Sequence, residues 1–482
     1  MNGWQVPKDG IRIYIIPDNS PMHGFSEHIS DEDLDRLYVS YGESRINLGI
    51  HYFKKQLYSS NLVGIARLKN IDGDNIHDSE GNELVLKVIP RFNVTVVELL
   101  NYIRDDDEFD RYMAPQTISN RQVEKDIEAV DRNEIFYFFE HEKPLRVEDG
   151  ISNENSIITV TVFLTLLRLL CKRPLMGRML KDEENLTGKV KGKIVIEKNI
   201  KTNSIHGRND RFYCQYLHYT DDIIENQILK AALLKAKRFI LDYLGDYGKD
   251  ANNYSSMISY CTKALRKISD ISCSGSACNG LKLTGCYAYY RPVIIMAKMI
   301  LDDISIESNG AVNTTGYVVP YAISMDTLFE VYVRAYLKKN GICSYKDKTD
   351  SGIILEKYDH KIEVLTEDEN LNNPGKYISG SIKPDLILVD QDNDSTLVID
   401  VKYKDYTSGN SRNDRLQLLA YSMMLNANNI GIILPAQDNE EIFDPRKINS
   451  LEKRLVKYHQ LLLGVMKEDS TIADYIKNKA FD

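Results

Sequence analysis

The stretch Ser381-Ile382-Lys383-Pro384-Asp385-Leu386-Ile387-Leu388-Val389-Asp390, then Gln391-Asp392-Asn393-Asp394-Ser395, then Thr396-Leu397-Val398-Ile399-Asp400-Val401-Lys402-Tyr403-Lys404, is two apolar runs around a polar turn. Asp, Asn and Ser are residues that turns prefer, so the segment predicts a β-hairpin. Folded between Asp392 and Asn393, it sets Asp385 opposite Asp400. Asp400 and Lys402 are two apart and share a face. Two opposed carboxylates repel unless positive charge lies between them. A divalent metal supplies that charge, and oxygen ligands at a partly open site suit Mg²⁺, which keeps several waters. Lys402 is then placed to hold or deprotonate the attacking water, or to stabilise charge developing on a phosphate. Phosphodiester hydrolysis is the chemistry that needs these parts. A surface hairpin with an ordinary Asp–Lys ion pair is the competing reading, but these strands are too apolar for a solvated edge.

Outward from the hairpin, a helix is predicted over 325–339, with Glu330 on the face of Val333 and Leu337. Glu330 is thus a candidate additional acid, or else a helical partner of Arg334 at i+4. A helix over 413–425 puts Asp414, Gln417 and Tyr421 on one face. Lys404, Arg412 and Arg415 are candidate phosphate contacts. Strands are predicted over 361–365 and 430–434, and a last helix over 448–466. The expectation for 306–482 is a mixed α/β domain.

The remainder divides at two polar, turn-rich segments. Residues 1–150 read as β-rich, with strands over 11–16, 62–68 and 83–89 and a polar insert, 69–82, at the tip of a long hairpin. Residues 151–305 read as helical, with helices over 158–170, 221–244 and 292–301 and a short strand-like element at 192–196. A chain of 482 residues with net charge −9 exceeds one core and excludes a uniformly basic nucleic-acid coat. Neither a membrane span nor a secretory signal is visible, and seven cysteines read as reduced thiols, so a cytoplasmic protein is expected. Asp72, Asp74, Asp78 and Glu83 imitate a calcium loop, but His77 stands where Gly is needed. Cys261, Cys273, Cys278 and Cys286 lack a Cys-x-x-Cys pair and read as idle thiols. The sequence holds no Gly-x-x-x-x-Gly-Lys-Ser/Thr, so no nucleotide is expected to bind this chain itself.

Lys383-Pro384-Asp385 followed by Asp400-Val401-Lys402 is similar to the PD-(D/E)xK nuclease signature, and Gln417-x-x-x-Tyr421 resembles the motif after the catalytic lysine in RecB-type nucleases. Together with Leu328-Phe329-Glu330, Asp414–Tyr421, Leu186-Thr187-Gly188, Lys191-Gly192-Lys193-Ile194, Glu225–Lys230 and, in the β-rich start, Gly64-Ile65-Ala66-Arg67-Leu68 and Val88-Ile89-Pro90-Arg91-Phe92, the set resembles the McrC family, the nuclease subunit of modified-cytosine restriction systems. The resemblance implies a multi-domain α/β protein: a β-rich adaptor (1–150), a helical middle (151–305) and a C-terminal PD-(D/E)xK restriction-endonuclease-like domain (306–482). It implies Mg²⁺-dependent cleavage of double-stranded DNA, with Asp385, Asp400 and Glu330 on the metal, Lys402 at the reacting water or phosphate, and Gln417 and Tyr421 orienting the site. It implies a hexameric McrB-like AAA+ GTPase as partner, with no membrane. The insert 69–82 could be the finger that enters its pore. A double-strand break needs two sites, so nuclease domains are expected to pair. Two other roles fit the motifs: a non-catalytic activator of the AAA+ partner, and a stand-alone RecB-type repair nuclease.

Overall fold

The structure, a computed structural model, describes residues 2–40, 45–92, 95–103, 116–118, 135–139, 145–146, 149–244, 251–283, 285–306, 312–314, 317–318, 320–344, 353–356, 362–363, 381–382, 384–390, 395–405, 412–425, 427–436, 446–449, 455–463 and 471–480. They fall into two compact units, Met1–Lys143 with Pro320–Asp482, and Pro144–Val319. The acidic run 105–108, the hairpin turn 391–394 and Lys383 lie outside the described residues.

The first unit opens with β1 (Ile11–Pro17), β2 (Leu62–Arg67) and β3 (Glu83–Ile89). β2 and β3 form the expected antiparallel hairpin, Gly64 facing Val88, and β1 runs parallel to β3. The insert 69–82 is tied back onto the sheet through Arg12 and onto the segment before it through Arg36. Arg12 Nε donates to the buried Asp78 carboxylate at 2.8 Å, Ile71 N donates to Arg36 O at 2.8 Å, and Arg36 reaches Asp72. Arg67 Nε donates to Glu83 Oε2 at 2.8 Å. Three acids of the calcium-loop imitation are therefore held by arginines. Further on lie α1 (Val96–Ile103) and β4 (Phe136–Phe139).

The second unit holds α2 (Asp149–Cys171), β5 (Arg178–Thr187), β6 (Lys193–Ile194), β7 (Arg211–Thr220), α3 (Ile224–Leu244), α4 (Ala251–Ala264) and α5 (Arg291–Asp303). Three of the helices stand where the apolar spacing put them. The helical expectation is corrected by the ribbon: β5 pairs with β7 from Arg178↔Thr220 to Thr187↔Arg211, and β6 adds to β7. Most of β5 is exposed on both faces, so its sequence lacks the in–out alternation that marks a half-buried strand.

The chain then returns to the first unit through β8 (Tyr321–Ser324), which lies between β2 and β4 and pairs antiparallel with both. The C-terminal part thus supplies a strand of the N-terminal sheet, and the three-part sequence division meets a structure in which both ends group together. Ser324 ends β8 and caps α6 (Met325–Lys339), its side chain accepting from Thr327 N. Asp326 in the first turn and Lys338 and Lys339 in the last suit the helix dipole.

Beyond α6 come β9 (Ile353–Glu356), β10 (Leu386–Asp390), β11 (Ser395–Val401), α7 (Arg412–Met424), β12 (Asn429–Pro435), β13 (Arg446–Asn449), β14 (Leu455–Leu463) and α8 (Thr471–Lys479). The sheet runs in the order Cys343–Ser344, β9, β10, β11, β12, β14, β13. α7 is the crossover between the parallel strands β11 and β12. Of the predicted strand 361–365, only Ile362–Glu363 is described, paired with Ser381–Ile382. The helix expected over 448–466 is overturned: β13 and β14 occupy described parts of that range. β14 pairs parallel with β12 and antiparallel with β13, so neighbours satisfy its backbone on both sides, and this outweighs local helical spacing. Among the described residues no helix is long and apolar enough to cross a membrane.

Within β14, His459 is 2% exposed; its Nδ1 lies 3.0 Å from Tyr475 Oη, and its Nε2 has no hydrogen-bond partner among the described residues. Burial, aided by Lys457, depresses its pKa from 6.5 to about 4. The unfolded chain therefore takes up a proton below pH 6.5 that the folded chain refuses. Stability is expected to fall between pH 6.5 and 4, by on the order of 3 kcal/mol from this group. Urea midpoints across that range should drop more steeply for the wild type than for His459→Gln; parallel slopes would refute the assignment.

Candidate active site

The site forms at the ends of β10 and β11. Their register runs from Asp390↔Ser395 to Leu386↔Ile399. One further step sets Asp385 opposite Asp400, the relation the turn chemistry predicts. Asp385 sits on the bend before β10, and its Oδ2 accepts from Val401 N at 2.7 Å. Asp400 is wholly buried, because β11 is a central strand flanked by β10 and β12. Lys402 Nζ stands 2.9 Å from Asp400 Oδ2. Even so, neither carboxylate oxygen of Asp400 has a well-directed hydrogen bond among the described residues.

Burial, reinforced by the Asp385 carboxylate and opposed by Lys402, pushes the Asp400 carboxyl up to about 8. For Lys402, burial works against the charge but the two aspartates outweigh it, and its pKa lies above the usual amine range. Among the described residues two carboxyls thus share one ammonium, and the buried one keeps its proton to about pH 8. Asp385 and Asp400 are the side chains that could hold a hard cation, with water completing its shell. Among the described residues no group of three or more His, Cys, Asp or Glu is assembled for a metal.

Glu330 is placed on α6, where its Oε1 lies 2.7 Å from Arg334 Nη2. That is the i+4 ion pair weighed as its simpler reading. Arg334 Nη2 also donates to Asp385 O at 2.9 Å, so α6 reaches the site through an arginine. This link is invisible to sequence spacing, since 51 residues separate the two groups. On α7, Gln417 Nε2 donates to Tyr421 Oη at 2.6 Å. The Tyr421 phenol is pushed up to about 12, first by burial, with Gln417 opposing and Asp400 and Asp385 adding to it. Tyr421 and Leu418 pack in the core with Val398, Ile430 and Ile432. Asp414, on the same helix, is buried and receives Lys404 Nζ on both oxygens at 2.8 Å. Lys404, expected on DNA, is therefore engaged within the chain, while Arg412 and Arg415 are exposed. In the second unit Cys261 is buried and Cys273 and Cys278 are half-buried.

A mixed α/β protein with an Asp–Asp–Lys centre, built on the buried Asp400 at the ends of two central strands, is the class that fold and site define. The chain belongs to the family described as McrBC 5-methylcytosine restriction system component, whose model matches residues 138–435, more than half its length. Among solved structures it is similar to a chain of the refined half-complex from the tetradecameric assembly of Thermococcus gammatolerans McrB AAA+ hexamers with bound McrC, at 14% identity and TM-score 0.38, covering 94% of each chain. A chain of the cryo-EM structure of the Thermococcus gammatolerans McrBC complex matches at 14% identity and TM-score 0.30, covering 69% of this chain and 89% of that one. Comparison with curated proteins gives no match.

Proposed function

We propose that the chain is the DNA-cleaving subunit of a McrBC-type restriction system, with a PD-(D/E)xK-type nuclease in its C-terminal part. The observation that carries this reading is the buried, poorly hydrogen-bonded Asp400 facing Asp385 beside Lys402, in a member of a restriction-system family. Keeping an acid buried beside a second acid is costly even with Lys402 at 2.9 Å, and a site that retains it has a use for it. Asp385 and Asp400 would hold Mg²⁺, whose charge activates water and offsets the charge of the scissile phosphate. Val401 N fixes the Asp385 carboxylate, and Arg334 fixes its backbone. Lys402, kept as an ammonium by its two acids, meets the charge that develops on the phosphate. Glu330 acts beside Arg334 at the margin of the site. Gln417 and Tyr421 brace its wall, and Arg412 and Arg415 offer exposed charge to the DNA backbone.

The proposed partner is a hexameric AAA+ GTPase of the McrB type, which reads the modified DNA and translocates it. Two such nuclease domains pair to break both strands. The test is co-expression with a McrB-type AAA+ NTPase from the same source. The co-purified complex, given a supercoiled plasmid carrying 5-methylcytosine, nucleotide and Mg²⁺, should yield linear DNA, and EDTA should stop it. A stable complex that leaves the plasmid intact would refute the nuclease reading. Equal cleavage by the chain alone would refute dependence on the partner.

A further inference from the structure

We propose that Arg91, at the exit of β3 in the N-terminal sheet, is a positioning residue for Lys402. The inference rests on the nuclease reading above and extends it to a residue outside every motif of that site. β11 ends at Val401, and Lys402 lies just beyond the regular ladder. A lysine at such an exit has four rotatable bonds and a backbone held on one side, where Lys402 N donates to Ile433 O at 2.9 Å. The other hold comes from the far end of the chain. Arg91 Nη2 donates to Tyr403 O at 2.6 Å across 312 positions of sequence.

Arg91 is itself fixed. Its backbone N donates to Asp18 Oδ1 at 2.7 Å, and its Nε lies 3.9 Å from the same oxygen. Asp18 is wholly buried at the end of β1, where its own N donates to Ile89 O at 2.9 Å. The guanidinium lies 4.9 Å from the Phe92 ring centre and 5.3 Å from that of Tyr403. Those two rings meet edge to face at 4.9 Å. The Tyr403 ring extends this aromatic cluster to Phe329, tilted against it 5.8 Å away on α6 and adjacent to Glu330. Arg91 therefore pins the residue after Lys402 by a carbonyl hydrogen bond and by its ring. The N-terminal sheet and the acid-bearing helix converge on one backbone segment. Loss of the guanidinium leaves the Tyr403 carbonyl without this donor and the aromatic cluster without its cation.

The test uses the full chain with its co-purified NTPase, methylated supercoiled plasmid and Mg²⁺, and the variants Arg91→Ala, Arg91→Lys and Asp400→Ala. Arg91→Ala should lower kcat about tenfold or more, as misplacement of a reacting group does, with KM for DNA within about twofold. Arg91→Lys should recover part of the rate, since an ammonium can reach a carbonyl but cannot stack as a guanidinium does. Hydrogen exchange over residues 397–405 reads the same link without cleavage, and should quicken in Arg91→Ala while 429–435 stays protected. Unchanged exchange over 397–405, or a wild-type kcat in Arg91→Ala, would overturn the inference and leave the nuclease reading intact. A wild type as inert as Asp400→Ala would overturn the nuclease reading instead, and the exchange experiment would still decide whether Arg91 holds this segment.

Discussion

Asp400→Asn should abolish cleavage and raise the melting temperature together. The amide is nearly the same size as the carboxylate, so packing on β11 is preserved. It cannot serve a cation as an ionised oxygen pair does, and cleavage should fall on the order of 10²–10³-fold or more. Stability should move the other way. The folded protein holds the Asp400 proton up to about pH 8, whereas the unfolded chain releases it near pH 4. Between those values the folded state binds the extra proton, so the metal-free wild type loses stability as pH rises through the window. The asparagine variant carries no such penalty. Its advantage should be absent at pH 4 and largest at pH 8, reaching a few degrees in Tm. Mg²⁺ should narrow the gap at pH 8 by stabilising the wild type alone. Calorimetry with and without Mg²⁺ checks the second half, and plasmid cleavage the first. An asparagine variant that cuts at the wild-type rate, or that melts below the wild type at pH 8, would remove the physical basis of the site.

The second large effect is expected at Gly64→Ala. A Cβ on Gly64 would lie 2.1 Å from Tyr321 O and 3.0 Å from Ala322 Cα, both backbone atoms of β8. No side-chain rotation relieves that contact, so β2 and β8 must separate. The cost is expected at about 3 kcal/mol or more, the upper range for forced overpacking. Gly81→Ala is the control. Gly81 has φ +83 and nothing within 4 Å of the added methyl, so only backbone strain of about 1 kcal/mol applies. Urea midpoints should separate the two variants clearly. Cleavage should fall with Gly64→Ala as well, because β8 runs straight into the Ser324 cap of α6, which carries Glu330 and Arg334. Equal midpoints for the two variants would mean that β8 is not seated against β2 as described.

The hairpin register was legible because the two apolar runs are symmetric about their turn, and symmetry alone sets Asp385 against Asp400. The helix over 325–339 was legible from its apolar spacing, and its bounds agree with α6. Both readings are local. What escaped depends on distant segments. β14 is a strand because β12 and β13 flank it, although its own Leu and Tyr positions also fit a helix. The β5–β7 ribbon meets solvent on both faces and so carries no buried stripe to read. Sequence spacing offered Arg334 only as a neighbour of Glu330, while its second contact lies on a carbonyl that spacing cannot locate. Lys404 looked available for DNA because nothing local announces its pairing with Asp414.

The seating of β8 between β2 and β4 also bears on how the molecule is made. A ribosome delivers the N-terminal strands first, yet the gap between them waits until residue 324 has emerged, after the entire 144–319 unit has been synthesised. Until then β2 and β4 present open edges, the kind that pair with the wrong partner. A nascent chain halted before that point is expected to need chaperone shelter, whereas one released just after it can close its first sheet.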